Sequence, residues 1–300
     1  MPRTAELPRS PPSLEVAESP VPAEGRSPSP DVGIVRAFAP PGGGRHAVVS
    51  WARRHARRTG ARIEILVDSD PEAPPAPGID IRGGVTRLFG GLLEQVRELF
   101  QEPSSLTARL GRASAGARML VVPQALPGVE VLVDTAYEPV TVVPTDPPHA
   151  QGAVVLALAH RTTNETIEAA FEAADQRGAP ILVLHLRDPD RWRHVTTDDP
   201  HADQEREDCA DRLSAWRIIH STVAVEVRIG AGDPTVELVR STYDARLLVI
   251  GRSARGRFLS TLPPSPVAPV VQRTRCPVLV VPPPGPPRHS WWPRALTARP

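Results

Sequence analysis

The sequence has very little cysteine, few aromatic residues, no lysine and no long apolar run, and these shortages exclude several classes of protein. Two cysteines, Cys209 and Cys276, exclude a disulfide-stabilised scaffold and predict a reducing compartment, the cytoplasm. The longest wholly apolar run, residues 153–159, is far shorter than the roughly 20 residues that cross a bilayer. The N-terminal residues lack the apolar segment of a secretory signal, so we expect none.

Charge of one sign is also lacking, because 35 basic residues face 34 acidic ones and leave a net charge of +1. All of the basic residues are arginines. A balanced chain has no long-range attraction to nucleic acid or to an anionic membrane. We therefore expect neither of them as a partner.

Proline, in contrast, is abundant, with 37 residues in 300 against an average of about 5%. It is concentrated in residues 1–30 and 284–300, which hold few large apolar groups and are predicted to be disordered tails. The pair Trp291-Trp292 in the second tail is either a short docking motif or an exposed aromatic pair. Residues 145–152 are predicted to be a linker, because their paired prolines continue neither a strand nor a helix.

Between the tails the sequence repeats itself. Three segments match in the same order, at offsets of 118, 128 and 138 residues: RTGARIEIL (58–66) with QRGAPILVL (176–184), RMLVVP (118–123) with RLLVIG (246–251), and EPVTVVP (138–144) with CPVLVVP (276–282). Because the order is kept while the offset grows, the chain is predicted to hold two copies of one domain, at 31–145 and 151–283, with the first copy shortened.

The second copy alternates apolar runs with segments of helical periodicity. Five runs are predicted to be buried strands: 153–159, 181–186, 223–229, 247–250 and 277–281. Three helices are predicted between them: one capped by Thr163 or Asn164 with Ile167, Ala170, Phe171 and Ala174 facing inward, one over 203–216, and one that starts at Asp233-Pro234. This alternation predicts an α/β fold of two tandem domains, each a mostly parallel five-stranded sheet with helices on both faces.

Three stretches of the second copy resemble a known family: VRIGAGDPTVELV (227–239), DARLLVIG (244–251) and RCPVLVVP (275–282). They make residues 150–283 similar to a universal stress protein domain. The resemblance implies an adenine-nucleotide alpha-hydrolase-like fold, and the repeat implies the tandem form of the family.

In the ATP-binding branch of that family, glycines and backbone N–H groups of one loop hold the phosphates. The resemblance places Gly251 at the first glycine of this loop, Ala254 at the second and Ser265 at the hydroxyl position, while Gly256 lies two residues beyond Ala254. These four residues are the candidate nucleotide-binding residues. They form a degenerate version of the loop.

The departures from the pattern remove hydrogen-bond donors. Pro264 stands at the third glycine between two further prolines, none of which has a backbone N–H. The acidic residue that the binding branch has after its first strand is replaced by the sequence Ala-His-Arg at 159–161. We therefore expect a weak or absent ATP site and no cofactor, with ATP as the open alternative. Arg252 and two further arginines of the loop could still attract an anion.

The first copy departs further, because Pro123 stands where Gly251 stands in the second copy and Gly128 is the glycine that remains after it. Nucleotide binding is not expected there. The glycine-rich stretch 41–45 is either an anion-binding nest or a plain turn, and the turn is the simpler interpretation.

Other reactive residues are predicted to be structural. His194, Asp198, Asp199, His201 and Asp203 match no metal-binding spacing, so we expect a solvated loop and no metal site. Cys209 lies on the apolar stripe of a helix and is expected to be a buried thiol. The basic run 51–58 is expected to be the solvated face of a helix. We predict no catalytic residue.

The sequence thus predicts a non-catalytic protein of stress response or regulation. Its apolar closing strands, 139–143 and 277–281, are predicted to pair antiparallel and to make the tandem an intramolecular pseudo-dimer that a regulatory protein partner recognises. Two alternatives stay open: a universal stress protein that binds ATP, with or without hydrolysis, through the loop of the second copy, and a scaffold whose tails carry the function.

Overall fold

The computed structural model describes residues 14–17, 33–40, 43–68, 106–146, 152–186, 201–230, 232–252 and 267–284. The strands in these residues are Leu14–Ala17 (β1), Ile34–Phe38 (β2), Arg62–Asp68 (β3), Met119–Pro123 (β4), Val140–Val143 (β5), Val154–Leu158 (β6), Ile181–Leu186 (β7), Val225–Gly230 (β8), Leu247–Gly251 (β9) and Val278–Val281 (β10). The helices are Arg45–Thr59 (α1), Leu106–Ala113 (α2), Val129–Thr135 (α3), Asn164–Asp175 (α4), His201–Ile219 (α5), Pro234–Ser241 (α6) and Val267–Arg273 (α7).

All of these strands form one sheet in the order β1-β3-β2-β4-β5-β10-β9-β6-β7-β8. At its centre β5 and β10 run antiparallel, with Val142 opposite Val278 and Val140 opposite Val280. The strands on each side of this joint are parallel to their neighbours, except β1. The antiparallel pairing of the closing strands is therefore present as predicted, and it joins the two halves edge to edge.

The outer edge of the first half differs from the prediction. In the second half the strand order is β8-β7-β6-β9-β10. In the first half the order is β3-β2-β4-β5, which corresponds to β7-β6-β9-β10. The place of β8 is taken by β1, which runs antiparallel to β3 and lies within residues 1–30. The prediction of a wholly disordered N-terminal tail is therefore wrong for Leu14–Ala17. An open edge of β3 would expose unpaired backbone groups, and the short apolar-alternating segment LEVA pairs with them.

Helices cover both faces of the sheet and confirm the α/β fold class. α1, α4 and α5 pack on one face, and α2, α3, α6 and α7 pack on the other. Each core runs through both halves, so that Trp51 and Phe171 share one core and Leu132 and Val270 share the other. In the part of the chain described here, no helix combines the length and the apolar character needed to cross a membrane.

Two helix predictions are confirmed in detail. The four inward residues of α4 are completely buried: Ile167, Ala170, Phe171 and Ala174. At the start of α6, the side chain of Asp233 accepts hydrogen bonds from the backbone N–H groups of Thr235 and Val236 at 2.8 and 3.1 Å. Pro234 follows as the first helical residue, where no intrahelical N–H is required.

Candidate functional site

The carboxyl ends of β6 and β9 form the crevice in which ligands of α/β sheets usually bind. The chain leaves β6 towards β7 on one side and returns to β9 on the other, so the strand order reverses between β6 and β9. Gly251, at the end of β9, lies at this crevice. The other predicted nucleotide-binding residues, Ala254, Gly256 and Ser265, lie outside the described residues.

Gly251 lies against the first turn of α4. A Cβ atom on Gly251 would lie 2.8 Å from Oγ1 of Thr166, a side chain that is completely buried. Real Cβ atoms do not approach an oxygen so closely, so packing against α4 by itself requires a glycine at this position. Oγ1 of Thr163, the N-cap residue of α4, lies 3.2 Å from the same Thr166 hydroxyl. The glycine therefore does not by itself indicate a phosphate.

Hydrogen bonds within the protein close the turn that follows β6. The backbone N–H of Ala159 donates to Oγ1 of Thr162 at 2.8 Å. The guanidinium group of Arg212, on α5, donates to the carbonyl of Ala159 at 2.8 Å and to the carbonyl of Thr162. Sequence reasoning missed Arg212, although its position three residues after Cys209 places it beside the buried stripe of α5. The guanidinium group of Arg212, which lies beside the crevice, thus binds the turn after β6.

Arg252, the residue after β9, is turned away from the crevice. Its Nη1 atom donates at 3.0 Å to the carbonyl of Val133, in the last turn of α3 in the first half. Burial lowers the pKa of Arg252, while the nearby carboxylate of Asp134 acts in the opposite sense. Arginine keeps its proton in proteins, so this side chain is a charged cap for α3. The expectation that Arg252 attracts an anion is not supported by this position.

Gln124 makes the equivalent contact from the first half. It occupies the position of Arg252 at the 128-residue offset, directly after β4. Its Nε2 atom donates at 3.0 Å to the carbonyl of Val271 and at 3.1 Å to the carbonyl of Thr274, at the end of α7. Each half therefore supplies a donor for the unpaired carbonyls at the end of the last helix of the other half. Sequence reasoning missed this reciprocal pair.

The crevice of the first half is shaped by Pro123, the last residue of β4. It occupies the same strand position as Gly251 in β9. Gly44, which precedes α1 with a φ of 88°, would place a Cβ atom 3.2 Å from Cβ of Pro123. The described part of the glycine-rich stretch is thus a turn packed on a proline ring. Gly128, with a φ of 74°, precedes α3 in the same way.

The remaining reactive residues are not brought together. Burial raises the pKa of Cys276 to about 12 and that of Cys209 to about 11, so both thiols are protonated near neutral pH and are poor nucleophiles. The predicted burial of Cys209 is confirmed. Of the acidic and histidine loop, His201 and Asp203 belong to α5, while His194, Asp198 and Asp199 lie outside the described residues. Within the ranges described, no three potential metal ligands cluster.

Comparison with protein families gives a match over the second half and the closing strand of the first. The model described as the universal stress protein family matches residues 139–282. The universal stress protein Rv1996 of Mycobacterium tuberculosis is 29% identical over 168 residues, which are 50% of this chain and 50% of that protein. A universal stress protein of Mycolicibacterium smegmatis is 31% identical over 121 residues, 38% of this chain and 40% of that protein. The chain thus spans about half the length of the curated relatives that it matches.

Solved structures share the fold over most of the chain. A putative universal stress protein from Pseudomonas aeruginosa superposes with a TM-score of 0.53 at 17% identity, over 84% of this chain and 94% of that one. A universal stress protein from Archaeoglobus fulgidus gives a TM-score of 0.52 at 15% identity, over 83% of this chain and 96% of that one. At these identities the similarity shows the fold and nothing further.

Proposed function

We propose that this chain, which matches the universal stress protein family over residues 139–282, acts as a non-catalytic stress-response or regulatory protein of the cytoplasm. In this proposal the crevice of the second half binds adenine nucleotide weakly or not at all. In the same proposal, a regulatory protein partner recognises the surface formed by the two halves of the chain.

The observation that carries the proposal is that two arginines near the crevice already donate hydrogen bonds to backbone carbonyls of the protein. Arg212 donates to the carbonyls of the turn after β6, and Arg252 donates across the joint to Val133. Phosphate sites need free donors, such as arginine side chains and backbone N–H groups. A nucleotide would have to displace these hydrogen bonds before it gained its own.

The open alternative, a protein that binds ATP with or without hydrolysing it, is favoured by one feature of the crevice. The end of β9 approaches the start of α4 closely, with Gly251 against Thr166, and helix starts stabilise anions. This feature places the N-terminus of α4 beside the end of β9. It does not replace the N–H groups that the prolines around position 264 lack.

We also propose that the joint of β5 and β10 makes the tandem an intramolecular counterpart of a dimer. The support is the antiparallel register of Val140 with Val280 and the reciprocal caps from Gln124 and Arg252. Both features relate the halves symmetrically, as an isologous interface relates two protomers. Such a chain does not need a second copy to cover its closing strands.

Calorimetric titration of the full chain with ATP and Mg²⁺ tests the nucleotide claim. We expect no measurable binding at about 1 mM ATP. The double variant Ala254→Gly/Pro264→Gly restores flexibility and one N–H donor to the loop and should bind ATP more tightly than the natural chain. Ala115→Gly, in an exposed turn of the first half, is the matched control and should behave like the natural chain.

Phosphate release, measured on the same samples, separates the alternatives. Micromolar affinity of the natural chain without turnover would replace the proposal by a nucleotide sensor. Micromolar affinity with turnover would replace it by an ATP-hydrolysing protein.

A further inference from the structure

A cavity of about 150 Å³ lies between α1 of the first half and α4 of the second. Strand residues contribute Met119, Leu247 and Leu279 to its wall. We refer to it as the interhelix cavity. It lies on the face of the sheet that carries α1, α4 and α5, and an apolar cavity of this size accommodates one benzene-sized molecule.

The interhelix cavity exists because equivalent positions of the two helices carry unequal side chains. At the 118-residue offset Trp51 of α1 corresponds to Ala169 of α4, and His55 corresponds to Ala173. All four residues line the cavity. The rings of Trp51 and His55 stack with centroids 5.1 Å apart and planes at 11°, so aromatic rings and methyl groups share the wall. Such walls favour a flat apolar ligand.

Two buried polar atoms belong to residues of the cavity wall and have no hydrogen-bond partner in the described structure. They are Nδ1 of His55 and Oε1 of Gln176. The His55 residue is 6% exposed, and a buried polar atom without a partner destabilises a protein. A neutral imidazole can donate one hydrogen bond, and an amide oxygen can accept one. Both atoms are covered by protein, so this unused hydrogen-bonding capacity lies within the wall and not at the cavity surface.

The charges around the cavity favour an anion. The guanidinium group of Arg177 lies 5.8 Å from the centroid of the Trp51 ring and donates to the carbonyl of Ala173 at 2.9 Å. Glu172, the acidic residue of the wall, accepts from Arg118 at 3.1 Å. Burial first, and then the charges of Arg177, Arg118 and Arg58, lower the pKa of His55 to about 3, so three cations act on this side chain.

We propose that the interhelix cavity binds a small aromatic carboxylate. The ring would lie among the Trp51 and His55 rings and the methyl groups of α4, with the carboxylate directed to Arg177. Because such a ligand contacts both halves, its binding stabilises their joint.

The two methionines of the sequence provide a local probe, since Met119 lines the cavity and Met1 supplies a reference signal. With [¹³C-methyl]methionine, sodium benzoate titrated into the full chain should shift the Met119 signal saturably and leave the Met1 signal unchanged. Met119→Leu assigns the two signals. Benzyl alcohol, which is similar in shape but uncharged, should bind at least about tenfold more weakly, because it does not pair with Arg177.

Two variants localise the site. Ala173→Leu fills the cavity and should abolish the shift, and Arg177→Gln should weaken benzoate binding by about tenfold. Ala215→Leu and Arg217→Gln, at exposed positions of α5, are the matched controls and should bind like the natural chain. Urea unfolding verifies that each variant folds, and if Ala173→Leu does not fold, Arg177→Gln decides. Three results would each overturn the proposal: no shift at about 10 mM benzoate, equal binding of benzyl alcohol, or unchanged binding by Arg177→Gln.

Discussion

The first half of the sheet ends in an antiparallel edge strand, β1, where the second half ends in the parallel strand β8. Their crevices differ as well, because β4 ends in Pro123 and β9 ends in Gly251. At the centre the halves match: β5 and β10 pair symmetrically, and Gln124 and Arg252 make reciprocal contacts. These two differences, at the sheet edges and in the crevices, therefore lie away from the joint.

This contrast indicates that the joint places stricter physical demands on the sequence than the crevices do. The central strands are buried on both faces: Val140 and Val280 face one core and are no more than 2% exposed, while Val143 and Leu279 face the other core and are no more than 4% exposed. An unpaired central edge would expose apolar side chains and backbone groups at once. A crevice tolerates a proline in place of a glycine as long as the strand that leads to it keeps its neighbours.

The largest expected effect comes from a charge in the joint. Val280→Asp places a carboxylate opposite Val140 with no partner, which should destabilise the fold by about 3–5 kcal/mol and cause aggregation. Urea unfolding and size-exclusion chromatography measure both outcomes.

The matched control is Ile218→Asp, at a side chain that is 78% exposed on α5. Its free energy of unfolding should stay within about 0.5 kcal/mol of that of the natural chain. If Val280→Asp were equally stable and monodisperse, the joint would not hold the halves together, and the contrast between joint and crevices would lose its basis.

Features that depend on local sequence were predictable. The apolar runs of the closing strands, the inward face of α4 and the cap at Asp233 follow from periodicity and from capping chemistry. The repeat then predicted how the halves correspond. The burial of Trp51 and His55 could also have been predicted, because they continue the spacing of Val48 and Ala52 on α1. The arginines between them concealed this stripe.

Contacts between distant parts of the chain were not predictable in the same way. Arg212, Gln124 and Arg252 donate to backbone carbonyls far away in the sequence, and no local pattern marks a side chain as a partner for a helix end. The strand β1 was missed for another reason. Four residues within a proline-rich segment do not alter its average composition, and the sheet edge that they pair with exists only in the folded chain.

A third difference between the halves is titratable, because His55 of α1 corresponds to Ala173 of α4. Burial first, and then Arg177, Arg118 and Arg58, lower the pKa of His55 from 6.5 to about 3. The unfolded chain therefore binds a proton near pH 6.5 while the folded chain stays neutral down to about pH 3. Acidification through this window favours unfolding, by at most about 1.4 kcal/mol per pH unit.

His55→Ala makes the two helices alike at this position and should reduce the loss of stability between pH 6 and pH 4. The free energy of unfolding, measured by urea denaturation at several pH values, gives the slope. His160→Ala, at an exposed histidine of the second half, should keep the slope of the natural chain. If His55→Ala and His160→Ala gave the same slope, His55 would bind its proton at the same pH in the folded and the unfolded chain. The burial and the positive charges inferred to lower its pKa would then be wrong.

The smallest expected effects concern the reciprocal contacts that make the halves alike. Gln124→Ala removes two hydrogen bonds to the end of α7 and should reduce the free energy of unfolding by about 1–2 kcal/mol. Arg252→Ala removes the hydrogen bond to Val133 and should reduce it by about 1 kcal/mol. Urea denaturation measures both losses.

Arg252→Gln sharpens the comparison, because it gives both halves the same donor. Glutamine already performs this task after β4, so the variant should lose less stability than Arg252→Ala, about 0.5 kcal/mol or less relative to the natural chain. If Arg252→Ala left stability unchanged, the guanidinium group would not hold α3 and would be free to turn into the crevice. The second half would then have a free guanidinium group beside its crevice, and the nucleotide-binding alternative would gain a hydrogen-bond donor for phosphate.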